Sequence, residues 1–165
     1  MAPVIVPNGK CVVFGVSEKG NTIPVRIPEA FDPVTETWED YPAASVDRVY
    51  HQVSLLLPDG RVWTAGSTIR SNTEELRTEF FSPSYLFNGP RPVISGSPNV
   101  GGYGGTINIS TPNASNINSV SLVRLMSCTH HYEANQRLVW LQILATGSNN
   151  ITVSAPINAN IAPPG

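Results

Sequence analysis

The chain has 165 residues, a formal net charge of −2 and only 13% charged residues, with no basic stripe or run of like charge, which excludes nucleic acid as a partner. No apolar run is long enough to span a bilayer, and Met1-Ala2-Pro3 leads straight into Val4-Ile5-Val6 without a charged leader, so neither a membrane partner nor a signal peptide is read here. The 15 Pro and 13 Gly, with many Val, Ile, Thr and Asn and no long stretch of strong helix formers, specify short strands and turns: the fold class is all-β, with length for one good core or two small ones.

The first elements form a repeat. Val4-Ile5-Val6-Pro7-Asn8-Gly9-Lys10-Cys11-Val12-Val13-Phe14-Gly15 aligns without a gap on Leu55-Leu56-Leu57-Pro58-Asp59-Gly60-Arg61-Val62-Trp63-Thr64-Ala65-Gly66, an offset of 51 residues. Phe31-Asp32-Pro33 recurs as Phe81-Ser82-Pro83 at an offset of 50. In each copy the Asn-Gly or Asp-Gly step accepts positive φ in a two-residue turn, so the flanking apolar runs are predicted to pair antiparallel. Those runs are almost continuously apolar, as in strands covered on both faces. Gly15 and Gly66 end the second strand, where a missing side chain lets backbones approach closely. Phe31 to Trp38 reads as an outer hairpin of two aromatic strands. A period near 50 is that of kelch-type propeller blades, each a four-stranded sheet. About two blades are present, and the chain opens inside a blade strand.

After Tyr85-Leu86-Phe87 the pattern changes. Asn88-Gly89-Pro90-Arg91-Pro92 is a stiff connector whose prolines remove backbone donors, placing a domain boundary between 1–89 and 90–165. Beyond it, short strands are predicted at residues 92–95, 106–110, 120–125, 138–144 and 150–154, separated by turn residues at the spacing of an immunoglobulin-like β-sandwich. Val100-Gly101-Gly102-Tyr103-Gly104-Gly105 is a glycine-rich turn and not a phosphate loop, since no helix and no Lys-Ser/Thr follow it. The sandwich stops at Ala162-Pro163-Pro164-Gly165 with its last edge strand missing, so the expectation is a piece truncated at both ends.

Residues able to do chemistry are few. The histidines are His51, His130 and His131, all where strands begin or end. Imidazole is the commonest protein ligand for copper, zinc and iron, and two histidines with Tyr50 beside one of them would make a mixed nitrogen and oxygen donor set. On spacing alone, with no HxH or HExxH pattern, the commoner reading is a hydrogen-bonding loop histidine. Cys11 and Cys128 have no metal-motif or disulfide-framework spacing. Sequons at Asn108, Asn113 and Asn150 lean towards secretion. Arg70 and Arg77 lie on a polar loop, where arginines are more often solvated than bound to substrate.

The stretch Tyr50-His51-Gln52-Val53-Ser54-Leu55-Leu56-Leu57-Pro58-Asp59-Gly60-Arg61-Val62 resembles the YHS-x-LLLPDGRV segment of the galactose oxidase and glyoxal oxidase family of copper radical oxidases. Phe81-Ser82-Pro83-Ser84-Tyr85-Leu86-Phe87, followed by Arg91-Pro92, looks like that family's end-of-propeller segment, and Thr129-His130 with Gln136-Arg137 matches its TH-x5-QR motif. The resemblance implies a kelch propeller followed by an early-set immunoglobulin-like domain whose loop completes a mononuclear Cu(II) site. It implies Tyr50 as axial ligand and catalytic base, His51 and His130 as equatorial ligands, and His131 as a neighbour. It further implies a secreted enzyme oxidising a small alcohol, aldehyde or sugar with O2 to give H2O2.

Two departures accompany it. Gln52 stands where the family often has Ser. The cross-linked Tyr-Cys radical cofactor belongs to earlier blades absent from this sequence, so this chain alone is expected to be inactive and to need the remaining propeller blades of a longer parent. The alternative is a non-catalytic kelch and early-set module that binds carbohydrate or protein, because fold alone does not determine function.

Overall fold

A computed structural model describes residues 2–18, 23–69, 73–130 and 132–164. The fold is all-β; helical structure among the described residues is confined to 3-10 turns at Ser84–Phe87 and Ala114–Asn116. By contacts the chain forms two compact units, Met1–Asn88 with Leu125–Gln136, and Gly89–Arg124 with Arg137–Gly165.

In the first unit the 51-residue repeat is a structural repeat. Strand β1 (Ala2–Ile5) pairs antiparallel with β2 (Cys11–Phe14), setting Val4 against Val12 and Ile5 against Cys11. A short pair, β3 (Val16–Ser17) and β4 (Pro24–Val25), follows. Then β5 (Glu29–Asp32) and β6 (Thr37–Asp40) complete a sheet of order β1-β2-β5-β6. In the second copy β7 (Val53–Leu56) pairs with β8 (Val62–Ala65), setting Leu55 against Trp63 and Leu56 against Val62, one repeat beyond the β1–β2 register. After the short pair β9 (Thr68–Ile69) and β10 (Thr73–Glu74), β11 (Glu79–Phe81) joins the other side of β8.

The turns differ from expectation in one respect. Val6 N–H donates to Lys10 O (2.9 Å) and Gly9 N–H to Val6 O (2.8 Å); Leu57 N–H donates to Arg61 O (2.8 Å) and Gly60 N–H to Leu57 O (2.9 Å). Three residues therefore close each hairpin. Pro7 and Pro58 explain the change: a two-residue Asn-Gly or Asp-Gly turn would need the flanking proline to donate a closing N–H that it lacks, so Val6 and Leu57 close the loops instead, and within them Gly9 (φ 90°) and Gly60 (φ 84°) are left-handed. The outer hairpin turns through Glu36 (φ 57°) and sets Phe31 opposite Trp38, ring centroids 5.2 Å apart.

The core of this unit is Val4, Val6, Val12, Phe14, Ala30 and Val62, with Tyr41, Leu56, Phe81, Tyr85 and Met126 packed against it. Val4, Val6, Val12 and Val62 are fully buried, each contributing roughly 1.5–3 kcal/mol relative to exposure. Burial is less continuous than the apolar runs suggested: along β1 it alternates between buried and half-buried positions.

The second unit is a β-sandwich. One sheet is β12 (Thr106–Ser110), β18 (Asn150–Ser154) and β17 (Ile143–Thr146); the other is β13 (Val120–Arg124) with β16 (Arg137–Leu141). Two predicted strands differ. Residues 138–144 are two strands that join different sheets, and the chain changes sheet at Gln142, whose backbone exchanges bonds with Ser154 (Gln142 N–H to Ser154 Oγ 3.2 Å, Ser154 N–H to Gln142 O 2.9 Å). Residues 92–95 form no strand: Pro92 has no N–H to donate, and Val93 N–H is taken by Asn113 Oδ1 at 3.0 Å. Only Ser95 and Gly96 reach Ser110. The core is Ala114, Leu141, Ile151 and Val153, ringed by Ile107, Ile109, Ile117, Val120, Val139 and Ile143.

The remaining strands, β14 (Cys128–Thr129) and β15 (Tyr132–Glu133), pair with each other on the excursion Leu125–Gln136, which belongs to the first unit.

Candidate metal centre

Each residue from Arg48 to Gln52 is anchored individually. Arg48 is 3% exposed and its guanidinium donates to three backbone carbonyls, Gly66 O (2.8 Å), Arg77 O (2.6 Å) and Thr64 O (3.4 Å), with Glu79 3.8 Å away. Burial lowers its pKa, and the Glu79 carboxylate opposes that shift. Val49 N–H donates to Ser67 Oγ (2.8 Å). Tyr50 makes an isolated antiparallel bridge to Thr68, whose N–H donates to Tyr50 O (2.6 Å). The carbonyl of His51 lies against Gly66, where a Cβ would approach it to 2.8 Å. Gln52, fully buried, donates from Nε2 to Phe14 O (2.8 Å) across to the preceding repeat. The chain thus buries Arg48, Val49 and Gln52 and leaves the side chains of Tyr50 and His51 exposed.

His51 adopts φ 60° and His130 adopts φ 50°; with Glu36 they are the positive-φ residues other than glycine among those described. Left-handed backbone costs a side-chain-bearing residue on the order of 1–3 kcal/mol and persists only where the surroundings enforce it. Both histidines belong to the first unit, and their rings meet edge to face with centroids 6.1 Å apart. The Tyr50 ring lies on His51, centroids 3.8 Å apart at 33°. Thr129 Oγ1 is 2.8 Å from His130 Nδ1. That contact engages Nδ1 and leaves Nε2 to face a ligand, the arrangement by which a second group orients a metal-binding imidazole.

The donor set suits Cu(II), which takes imidazole nitrogen together with oxygen in tetragonal sites. With a metal–nitrogen bond of about 2.0–2.1 Å, the centroids of two imidazoles on one ion stand up to about 6 Å apart, so the observed pair is at the limit of sharing one. Among the described residues no group of three or more His, Cys, Asp or Glu side chains converges.

Other candidates lie elsewhere. His131 and Arg70 fall outside the described residues. Arg77 forks onto Glu75 (Nε to Oε1 2.8 Å, Nη2 to Oε2 2.5 Å), which engages it within its own loop. Cys11 and Cys128 are free and half-buried, and burial raises the Cys11 thiol above its usual pKa. Sequence reasoning missed Arg48 and Glu133. Thr129 and Gln136 were visible only as part of a motif, and Gln52 only as a departure from one.

Comparison with known proteins decides the relationship. A family model described as galactose oxidase-like, early set domain, matches residues 91–165. The chain is 33% identical over 174 residues to a galactose oxidase of Gibberella zeae, covering 98% of this chain and 25% of that protein. This chain is homologous to the galactose and glyoxal oxidases. An aldehyde oxidase GLOX of Vitis pseudoreticulata is 30% identical over 190 residues, covering 98% of this chain and 36% of its own length. A solved structure of a fungal alcohol oxidase of the AA5 family, in complex with copper, superposes with a TM-score of 0.90 at 29% identity, covering 99% of this chain and 37% of that one. The homology thus extends over nearly all of this chain, while the chain spans about a quarter to just over a third of these oxidases.

Proposed function

We propose that this chain supplies His51, His130 and Tyr50 to the copper centre of a secreted copper radical oxidase, in which the two sheets of the 51-residue repeat are kelch propeller blades. The reaction class is oxidation of a primary alcohol or aldehyde by O2; for an alcohol, RCH2OH and O2 give RCHO and H2O2. The observation that carries this reading is the pairing of two left-handed histidines, with ring centroids 6.1 Å apart and Tyr50 stacked on one of them. Two imidazoles and a phenol, in a homologue of copper oxidases, are the donors such a centre needs.

In this reading the chain's own residues have separate tasks. His51 and His130 hold the metal through ring nitrogens. Tyr50 Oη takes the proton of the substrate hydroxyl, and Tyr50 is 40% exposed. Copper would supply one of the two oxidising equivalents, and a cross-linked Tyr-Cys pair contributed from outside this sequence the other. The Arg48 and Gln52 anchors keep Tyr50 and His51 in place without a role in proton or electron transfer.

The test is Cu(II) titration followed by electron paramagnetic resonance. Wild-type protein is expected to show two coordinated nitrogens, and His51→Ala and His130→Ala one each. In a longer parent that carries the Tyr-Cys pair, His130→Ala is expected to abolish peroxide release. A two-nitrogen signal that survives both substitutions defeats the assignment, and a parent with neither copper loading nor peroxide release would favour a carbohydrate- or protein-binding module.

A further inference from the structure

The hairpin that carries His130 cannot hold its own shape. Strands β14 and β15 contribute only two cross-strand pairs, Cys128 with Glu133 and Thr129 with Tyr132, and an isolated hairpin of that size is marginal in water. What closes it is a single carboxylate. Glu133 Oε1 accepts from the backbone N–H of Ser127 (3.0 Å), Asn135 (2.7 Å) and Gln136 (2.6 Å), and Oε2 lies 3.1 Å from Ser127 N, so one side chain ties both ends of the excursion together. Ala134 N–H adds a bond to Ser127 O (3.1 Å).

The closed loop is then fastened at two points. The Gln136 carboxamide makes a reciprocal pair with Ile5 at the end of β1: Ile5 N–H donates to Oε1 and Nε2 donates to Ile5 O, both at 2.7 Å. Strand β1 is an edge strand, and its outward N–H and C=O are the groups a neighbouring strand would otherwise take, so the side-chain amide stands in for that strand. At the other end of the excursion, Leu56 N–H donates to Met126 Sδ at 3.0 Å on β7, also an edge strand. Ile5 and Leu56 are the same position of the 51-residue repeat. The two ends of the excursion therefore grip equivalent edge positions of successive sheets.

We propose that Glu133 and Gln136 are positioning residues for the metal centre: the Glu133 closure and the Gln136–Ile5 clamp set where His130 stands relative to His51. This rests on the copper reading above. Both residues are engaged with backbone groups, Glu133 with Ser127, Asn135 and Gln136, and Gln136 with Ile5, and act through His130. Loss of the Gln136 clamp releases one end of the loop and lets His130 drift from His51.

The experiment compares the 165-residue chain with Gln136→Met, which keeps the side-chain length and removes both hydrogen bonds, and with His130→Ala. Each is titrated with Cu(II) and read by dissociation constant and by the number of coordinated nitrogens. Gln136→Met is expected to raise the Cu(II) dissociation constant about 10–100-fold, the usual effect of removing a group that orients a ligand, and to reduce the nitrogen count from two to one while the near-ultraviolet circular dichroism is kept. Should Gln136→Met lose that spectrum, Glu133→Gln, which keeps an amide-accepting oxygen but not the charge, is read in the same way with the same expectation. If His130→Ala weakens copper binding and the positioning variant binds like wild type with two nitrogens, the clamp has no positioning role and this inference is overturned. If His130→Ala itself leaves affinity and nitrogen count unchanged, the copper reading fails, and the positioning inference with it.

Discussion

Gly66 and His51 meet backbone to backbone: a Cβ at Gly66 would stand 2.8 Å from the His51 carbonyl oxygen, and Gly66 itself has φ 69°. The left-handed turn of His51 is built against this glycine. Its carbonyl in turn accepts from the buried Arg48, so one residue without a side chain links the arginine anchor to the histidine.

Gly66→Ala is therefore expected to displace the His51 backbone as well as strain its own. Positive φ at a non-glycine residue costs on the order of 1–3 kcal/mol, and the clash with the His51 carbonyl adds to it. Urea denaturation should show the loss of stability, and Cu(II) affinity should fall along with it. Unchanged affinity in a folded Gly66→Ala protein would show that the His51 ring is placed independently of its backbone.

Gln52 and Gly15 are matched in the same manner. A Cβ at Gly15 would come within 2.5 Å of Gln52 Nε2, and Gln52 donates to the carbonyl of the neighbouring Phe14. Gln52→Ser, the residue common in the family at this position, is expected to destabilise the protein by about 1–3 kcal/mol, because the buried Phe14 carbonyl loses its donor. Gly15→Ala should cost less in the Gln52→Ser background than in wild type, since the clash with the Gln52 side chain is gone and the φ strain and the 2.9 Å approach to Arg48 Cβ remain. A double-mutant cycle in denaturant should give a coupling of about 0.5–3 kcal/mol, and strict additivity would show that the two positions do not compete for space.

Arg48 holds three carbonyls from a site that is 3% exposed. Arg48→Met keeps much of the packing, takes the guanidinium donor from these carbonyls and removes the cation 3.8 Å from Glu79. The expected cost is about 1–3 kcal/mol, the penalty for leaving a buried acceptor unsatisfied. Arg26→Met, at an exposed ion pair with Asp47 (2.6 Å), is expected to change stability far less, because solvent screens the pair. Thermal or urea unfolding of the two variants measures the contrast.

The Glu75 carboxyl is held down at about 2 by the Arg77 side chain and backbone N–H. The folded state therefore keeps Glu75 ionised where the unfolded chain binds a proton. This contribution is present above the ordinary carboxylate pKa of about 4.3 and is lost as pH falls from there towards 2. The urea midpoints of wild type and Glu75→Gln should differ at neutral pH and converge near pH 2. A gap that stays constant across that range would assign the difference to packing.

Much of the fold is legible in the linear chain because its signals are local or periodic. The Pro-Asn-Gly and Pro-Asp-Gly turns, the apolar runs beside them and the 51-residue offset foretell that β1 pairs with β2 and β7 with β8, and that the two pairs are equivalent, while the register stands one residue from the one a two-residue turn would set. The strands β12 and β18 fall where alternation places them. The prolines shifted the turn from two residues to three, because a residue without an N–H cannot close a two-residue turn, a rule readable in the sequence beside the stronger Asn-Gly signal. The break of 138–144 into two strands was not legible, since apolar periodicity does not say which sheet a strand joins.

The candidate centre divides in the same way. Tyr50, His51 and His130 stand out as residue types in family-like motifs, because their chemistry is written in their identity. Their environment belongs to the folded chain: the left-handed φ of both histidines, the Thr129 contact, the Glu133 closure and the Gln136–Ile5 clamp have no signature in any window of sequence. The clamp joins residues 131 positions apart, and its partner is a backbone group that every residue but proline possesses. Residue chemistry and periodicity determine which side chains are available and which strands form; hydrogen bonding between distant backbone and side-chain groups decides where those side chains stand.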